Sequence, residues 1–273
     1  MKTHGKIFGK YCLIAFIMIM TGFAVAVKGQ DMRTINNTAF NPGEKLVFRA
    51  YYNSTITGNV LAGDAVMEIY PETEVINGRT AMRVVCLMRT RGVFSLFFRV
   101  NNRFESYIDQ EAIAPLVFKR NLQEGNYTRN QDVRFNHIEG VASTNDTVVP
   151  IPAYVQDVLS AFYFARTLAL QNPREGQEFA MDFFHGDSVY VTRIVFDGYD
   201  RIRTRLGTFN TLRFKPMMVT GNVFSQPFPM TLWVTNDANR VPIRIETGLK
   251  VGNLRLELSE FHGLRNQLTS KAK

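Results

Sequence analysis

Cysteine is almost missing from this chain. Cys12 lies inside an N-terminal apolar run, and Cys86 lies in the alternating stretch TAMRVVCLMRT, where a small buried hydrophobe is its ordinary meaning. Once the apolar run is removed no intramolecular disulfide can form, so the fold must rely on its core. A chain on the order of 240 residues is long enough for that, since it buries about three quarters of its unfolded surface. Histidine is also scarce: His137, His185 and His262 follow the run, with no H-E-x-x-H or C-x-x-C spacing. The cluster MDFFHGD sets His185 between Asp182 and Asp187, but one imidazole and two carboxylates make a poor transition-metal set. Neither a metal nor a cofactor is expected. G-x-S-x-G elbows, Walker loops and dinucleotide fingerprints are missing too, so no catalytic residue is assigned.

Acidic residues are absent from the first 29 positions, which instead hold Lys2, Lys6 and Lys10, an apolar run from Tyr11 to about Val27, and small residues. That order is a secretory signal, with cleavage after Ala26 or Gly29. Cys12 is inside the run rather than at its end, so a lipid-anchored product is not expected. Export to the periplasm is, with no transmembrane span after cleavage. The formal charge of +8 falls to +4 when the four lysines of residues 1–29 leave. So mild a surplus does not argue for nucleic acid.

What remains is rich in short alternating segments. EKLVFRAYY, GDAVMEIYP, RTAMRVVCLMR, RFESYID, PLVFKRNL, SVYVTRIVF and VGNLRLELSEF are β-branched or aromatic and bounded by Gly, Pro, Asn or Asp. In DRIRTRLGTFNTLRFKP, placing the turn on Gly207 pairs Ile202 with Leu212 and predicts an odd-numbered loop with a left-handed glycine. One face then shows Arg201, Arg203, Arg205, Arg213 and Lys215, read as a solvated outer surface. Pro242 must sit at an edge, at a bulge or pointing outward.

One segment breaks the pattern. DVLSAFYFARTLAL opens on an N-cap, Asp157, and closes before Asn172-Pro173, which predicts a helix over about 157–171. Apolar residues cover most of its circumference, and it is too short to cross a bilayer. The expected fold is therefore mainly β: a single antiparallel, strongly curved sheet, half-barrel or barrel, wrapped around one central hydrophobic helix. Its parts are a signal peptide (1–29), a polar leader (30–41), a β domain (42–263) and a flexible tail (264–273).

Two aromatic segments are candidates for an apolar pocket beside that helix. GVFSLFFRV supplies Phe94, Phe97 and Phe98, and NVFSQPFPMTLW supplies Phe224, Phe228, Met230 and Trp233. Arg166 on the helix needs a carboxylate or a ligand anion if buried. These are the candidate ligand-binding residues. Arg103, Glu105, Tyr107 and Asp109 share one parity, and Glu257 and Glu260 follow on a later strand, which leaves a carbohydrate-active enzyme as one alternative.

The ordered set FNPGEKLVFRAYY, a Phe-rich strand before RFESYID, EGNY, QDVLSAFYFARTL, LGTFNTLRFKP and LWVTNDANRVPIRIE resembles the Gram-negative envelope family catalogued as domain of unknown function 3108. The resemblance implies location and architecture but no activity. A curved sheet cupping a helix is also distantly similar to periplasmic lipoprotein carriers and their outer-membrane receptors, at the level of fold. The reading is a non-catalytic periplasmic module that binds or escorts a lipid, another amphiphile or an envelope component. The other alternative is a structural protein with a filled core that meets envelope proteins.

Overall fold

The computed structural model describes residues 32–217, 227–249 and 251–272; the signal segment and Phe224 lie outside them. Residues 33–273 cluster as one compact unit. Its strands are β1 (Lys45–Ser54), β2 (Gly58–Ile76), β3 (Arg79–Thr90), β4 (Asn101–Asp109), β5 (Pro115–Glu124), β6 (Tyr127–Asn136), β7 (Val141–Ser143), β8 (Val148–Pro150), β9 (Glu178–His185), β10 (Ser188–Thr204), β11 (Gly207–Pro216), β12 (Met230–Thr235), β13 (Pro242–Gly248) and β14 (Asn253–His262). Among the described residues two helices complete it, α1 (Phe94–Phe97) and α2 (Val158–Arg166).

All 14 strands form one antiparallel sheet in the order β8-β7-β6-β5-β4-β3-β2-β1-β14-β13-β12-β11-β10-β9. Neighbours in the sheet are consecutive in the chain throughout except at β1–β14, where Lys45 meets His262. The sheet is not closed by a backbone ladder, since β8 and β9 are its two edges. It curls nonetheless. Phe135 on β6 and Phe184 on β9, far apart in strand order, meet edge to face at 5.4 Å, and Gln131 Nε2 on β6 donates to Gly186 O at 2.8 Å. Side chains, with one backbone bridge from Gln156 to β9, join the two ends along a seam.

Alternation sets the inner face. The register aligns Met67, Cys86, Phe104, Arg120 and Gln131 in one row across five strands. Cys86 is in a buried cluster with Ile69, Met82, Ile108 and two residues of α2, Leu159 and Tyr163. Burial pushes its thiol up to about 12, so it is inert.

Asp157 caps α2 as its sequence predicts. Its carboxylate accepts from the backbone of Leu159 and Ser160 at 2.7 and 2.9 Å, while Ser160 Oγ accepts from the N–H of Asp157 at 2.8 Å. The helix is shorter than the predicted 157–171, because Arg240 takes its last carbonyls: the guanidinium donates to Arg166 O at 2.9 Å and to Leu168 O. Nor is it buried all round. Leu159, Ser160, Tyr163 and Arg166 make the buried face, while Val158 is 44% exposed. Two polar residues can lie on that face because Ser160 is used in the cap and Arg166 finds Glu44.

Burial lifts the Asp157 carboxyl from 3.8 to about 6, against the opposing donors Ser106, Ser160 and Leu159. The folded protein therefore holds this proton more tightly than the unfolded chain does. The resulting stability is full below about pH 3.8 and is lost as pH rises through about 6. Urea midpoints at pH 4.5 and 7 should fall more steeply for wild type than for Asp157→Asn; parallel behaviour would refute this assignment.

Other elements depart from expectation. The β10–β11 loop has two residues, not an odd number: Thr204 pairs with Gly207 and Ile202 with Phe209, not Leu212. The parity change is made instead by a bulge between Phe196 and Tyr199, at Gly198 with φ 108°. Pro242 sits at a bulge, as its missing N–H requires. The leader and the tail both join the domain. Phe40 is fully buried against the Tyr163 ring at 4.7 Å. Leu264 and Leu268 pack on the core, and Asn210 N donates to Ser270 O at 2.9 Å.

Candidate functional site

The antiparallel order puts the β1–β2, β3–β4, β5–β6, β9–β10 and β13–β14 turns at one end of the sheet, here called the rim. GVFSLFFRV is the β3–β4 connection. It is a single helical turn, not a strand with two apolar faces, and it stands at the rim rather than beside α2. Leu96 and Phe97 are 83% and 84% exposed, and Val93 and Phe98 are exposed as well. Phe94 is held at 5.6 Å from the Tyr52 ring, whose hydroxyl donates to Val251 O at 3.0 Å in the β13–β14 turn. Phe228 and Met230 reach the same end, because Met230 pairs with Thr247 and Gly248 N donates to Pro229 O at 3.1 Å.

The other candidates lie elsewhere. Arg166 is buried and receives two carboxylate contacts from Glu44, at 2.5 and 2.7 Å, with Asn239 O at 3.0 Å. Its anion is supplied by the protein, so none is required from a ligand. Trp233 is half-buried and donates to Asp200 Oδ2 at 3.0 Å. The structure therefore gathers Phe94, Phe97, Phe98, Phe228 and Met230 at one end and leaves Arg166 and Trp233 outside that group.

Two clefts stand out among the described residues, and neither lies between α2 and the sheet. One, of about 550 Å³, is at the rim and is lined by Arg89, Thr90, Ser95, Leu96, Arg99, Val100 and Asn101. The other, of about 430 Å³, is at the opposite end around Arg79 and Asp109, which pair with each other.

The inner face changes character towards the rim. On β1, Leu46 and Phe48 are buried, and Ala50 and Tyr52 are half-buried. Ala50, Leu256, Ile245, Leu232 and Phe214 form one row across five strands, of which only Phe214 is fully buried. Apolar side chains thus line an inner face that is buried beside α2 and only half-buried below the rim.

The carboxylates weighed for glycoside hydrolysis are tied down. Glu105 accepts from Arg83 Nε at 2.8 Å, Arg103 Nη2 at 2.6 Å and the Tyr107 hydroxyl at 2.8 Å. Burial alone would raise it, but these donors prevail and bring it to about 2. A general acid needs the opposite shift. Asp109 is clamped by Arg79 and accepts from Ala112 N at 2.8 Å; Glu257 accepts from Arg244 at 2.8 Å. Of the basic hairpin residues, Arg201, Arg203 and Arg205 are exposed, whereas Arg213 and Lys215 hold Asp197 at 2.7 and 2.8 Å.

One inward residue outside the candidate set is charged. Arg120 shares the parity of Leu116, Phe118 and Leu122 in PLVFKRNL, a charge at a core position, and that was the available signal. It is 8% exposed, and its Nε and Nη2 have no hydrogen-bond partner among the described residues.

Fold and site define a mainly β, barrel-like protein built on one open sheet, with an apolar rim and, among the described residues, no metal-ligating cluster. The chain belongs to the family described as "Protein of unknown function (DUF3108)", whose model matches residues 47–259. No curated protein matches it. A β-barrel-like protein of domain of unknown function DUF1849 from Brucella abortus has a similar fold, with TM-score 0.53, 9% identity, and coverage of 85% of this chain and 99% of that one. Weaker likenesses are a candidate lipoprotein from Parabacteroides distasonis (TM-score 0.37, 12% identity, 85% and 100% covered) and a candidate exported protein with a YmcC-like fold from Bacteroides fragilis (0.32, 12%, 84% and 99%). No helix among the described residues is long and apolar enough to cross a membrane.

Proposed function

We propose that this protein is a non-catalytic periplasmic module that binds or escorts an amphiphile of the cell envelope. The half-buried apolar row Ala50–Leu256–Ile245–Leu232 carries the reading, because it gives an alkyl chain a partly desolvated wall open towards the rim. The exposed Leu96 and Phe97 fit the same role. Leaving such side chains in water forgoes about 1.5–3 kcal/mol each relative to burial, which a partner or ligand at the rim restores. The lysine-led apolar segment of residues 2–27 supports export.

Native mass spectrometry of protein purified from its own envelope should show an adduct of lipid mass; a clean apo mass would count decisively against the reading. The double substitution Leu96→Asp and Phe97→Asp should weaken amphiphile binding about tenfold by calorimetry. Its melting temperature should stay within about 2 °C, because exposed positions away from special features change stability little.

A second reading, an interaction protein with a filled core, has an observation of its own. Phe40, Tyr163 and Leu159 pack fully, and neither of the two clefts described above lies beside α2. In-cell cross-linking that recovers one dominant envelope partner, with no adduct in the mass spectrum, would favour it.

A further inference from the structure

Arg120 points into the inner face where the two ends of the sheet meet. Its row neighbours are Phe104 on β4 and Gln131 on β6, and Phe104 packs with both the Cys86 and the Phe118 clusters. Arg120 is only 8% exposed as a residue, yet among the described residues no carboxylate pairs with it and its Nε and Nη2 find no acceptor. A buried charge without a partner is among the more costly things a core can hold.

Its surroundings deepen the deficit. Arg129 faces inward one row closer to the rim, paired with Leu122. The nearby carboxylate, Asp187 in the β9–β10 turn, is already engaged: it accepts from Gln131 Nε2 at 2.9 Å and lies 3.7 Å from Arg129. Burial first, and then the charge of Arg129, hold the Arg120 pKa below the usual guanidinium value. His185, at the end of β9, is likewise lowered by partial burial and then by Arg120 and Arg129. The corner thus carries two guanidinium groups against one committed carboxylate.

We infer that Arg120 and Arg129 form a receptor for the anionic head of an amphiphile, a phosphate or carboxylate, at the seam between β6 and the β9–β10 turn. A planar guanidinium with two free N–H directions matches the oxygens of either group. The apolar tail would follow the adjoining inner face past Phe104 and Leu122. The inference rests on the amphiphile reading above and adds to it the charge of the head and the residues that hold it.

Calorimetry and native mass spectrometry with three probes, dodecyl phosphate, dodecyl maltoside and inorganic phosphate, test it on wild type and Arg120→Met. Support would be one dodecyl phosphate per chain, weakened at least tenfold by the substitution, with dodecyl maltoside binding unchanged. Arg120→Met should also melt several degrees higher without ligand, because it replaces an unpaired buried charge with an apolar side chain; that rise shows the variant folds. Equal affinity of both proteins for dodecyl phosphate would overturn the Arg120 site and leave the amphiphile reading standing. Inorganic phosphate binding as tightly as dodecyl phosphate, and lost in Arg120→Met, would keep the anion receptor and remove the tail. Binding of neither phosphate would overturn the inference, and dodecyl maltoside would then report on the broader reading alone.

Discussion

Arg166→Ala or Glu44→Ala should each lower the free energy of unfolding by about 3–5 kcal/mol, because either change leaves a charge buried without its counterion. Both partners are within 3% of full burial, and the guanidinium is further fixed by Asn239 O and Ala39 O at 3.0 and 3.3 Å. The pair connects the last turn of α2 to the residue just before β1, so its loss should loosen the helix and the first strand together. Replacing both members, as Glu44→Leu with Arg166→Met, should recover most of the loss, since an apolar pair of similar volume needs no desolvation of charge. Urea denaturation of the three variants decides the matter. Single variants within about 1 kcal/mol of wild type would mean that water reaches the pair.

Phe40→Ala should cost about 3–5 kcal/mol, the range for removing a buried aromatic ring and leaving its cavity. By composition residues 30–41 read as a polar leader, for which a substitution should change stability by less than about 0.5 kcal/mol. The two expectations differ several-fold, so one denaturation curve separates them. The structural basis is the edge-to-face contact of Phe40 with Tyr163 and the shared cluster with Ile69, Met82 and Ile108. Asn37 shapes the approach, accepting from Ala39 N at 3.0 Å and donating to Phe40 O at 3.0 Å.

Where period and composition act locally, the fold was legible. The strands follow from two-residue alternation, and the start of α2 follows from Asp157, whose capping role needs only the next three residues. Contacts made at long range were not legible. The end of α2 is set by Arg240, 74 residues away from Arg166 in the chain, and the partner of Arg166 is 122 residues before it. The β10–β11 loop was misread because a bulge and a loop change parity in the same way, and sequence alone does not say which one does so. Of the candidate site, the aromatic segments could be found, since a dense Phe run is a local signal. Their position at the rim could not, because it depends on the direction in which each strand runs through a sheet of this order.

Pairing β1 with β14 also constrains how the chain reaches its native state. Every other adjacent pair of strands can zip up soon after both have been synthesised, but Lys45 must wait for His262, across nearly the whole domain. Loop-closure entropy rises only slowly with such a distance, by about 0.6 kcal/mol per doubling, so the delay is kinetic more than energetic. Two half-sheets would form independently, each with one further bare flank, β1 or β14, and join last. During that wait each flank could recruit a stranger's strand, so crowded synthesis is the moment at which this molecule most needs a chaperone.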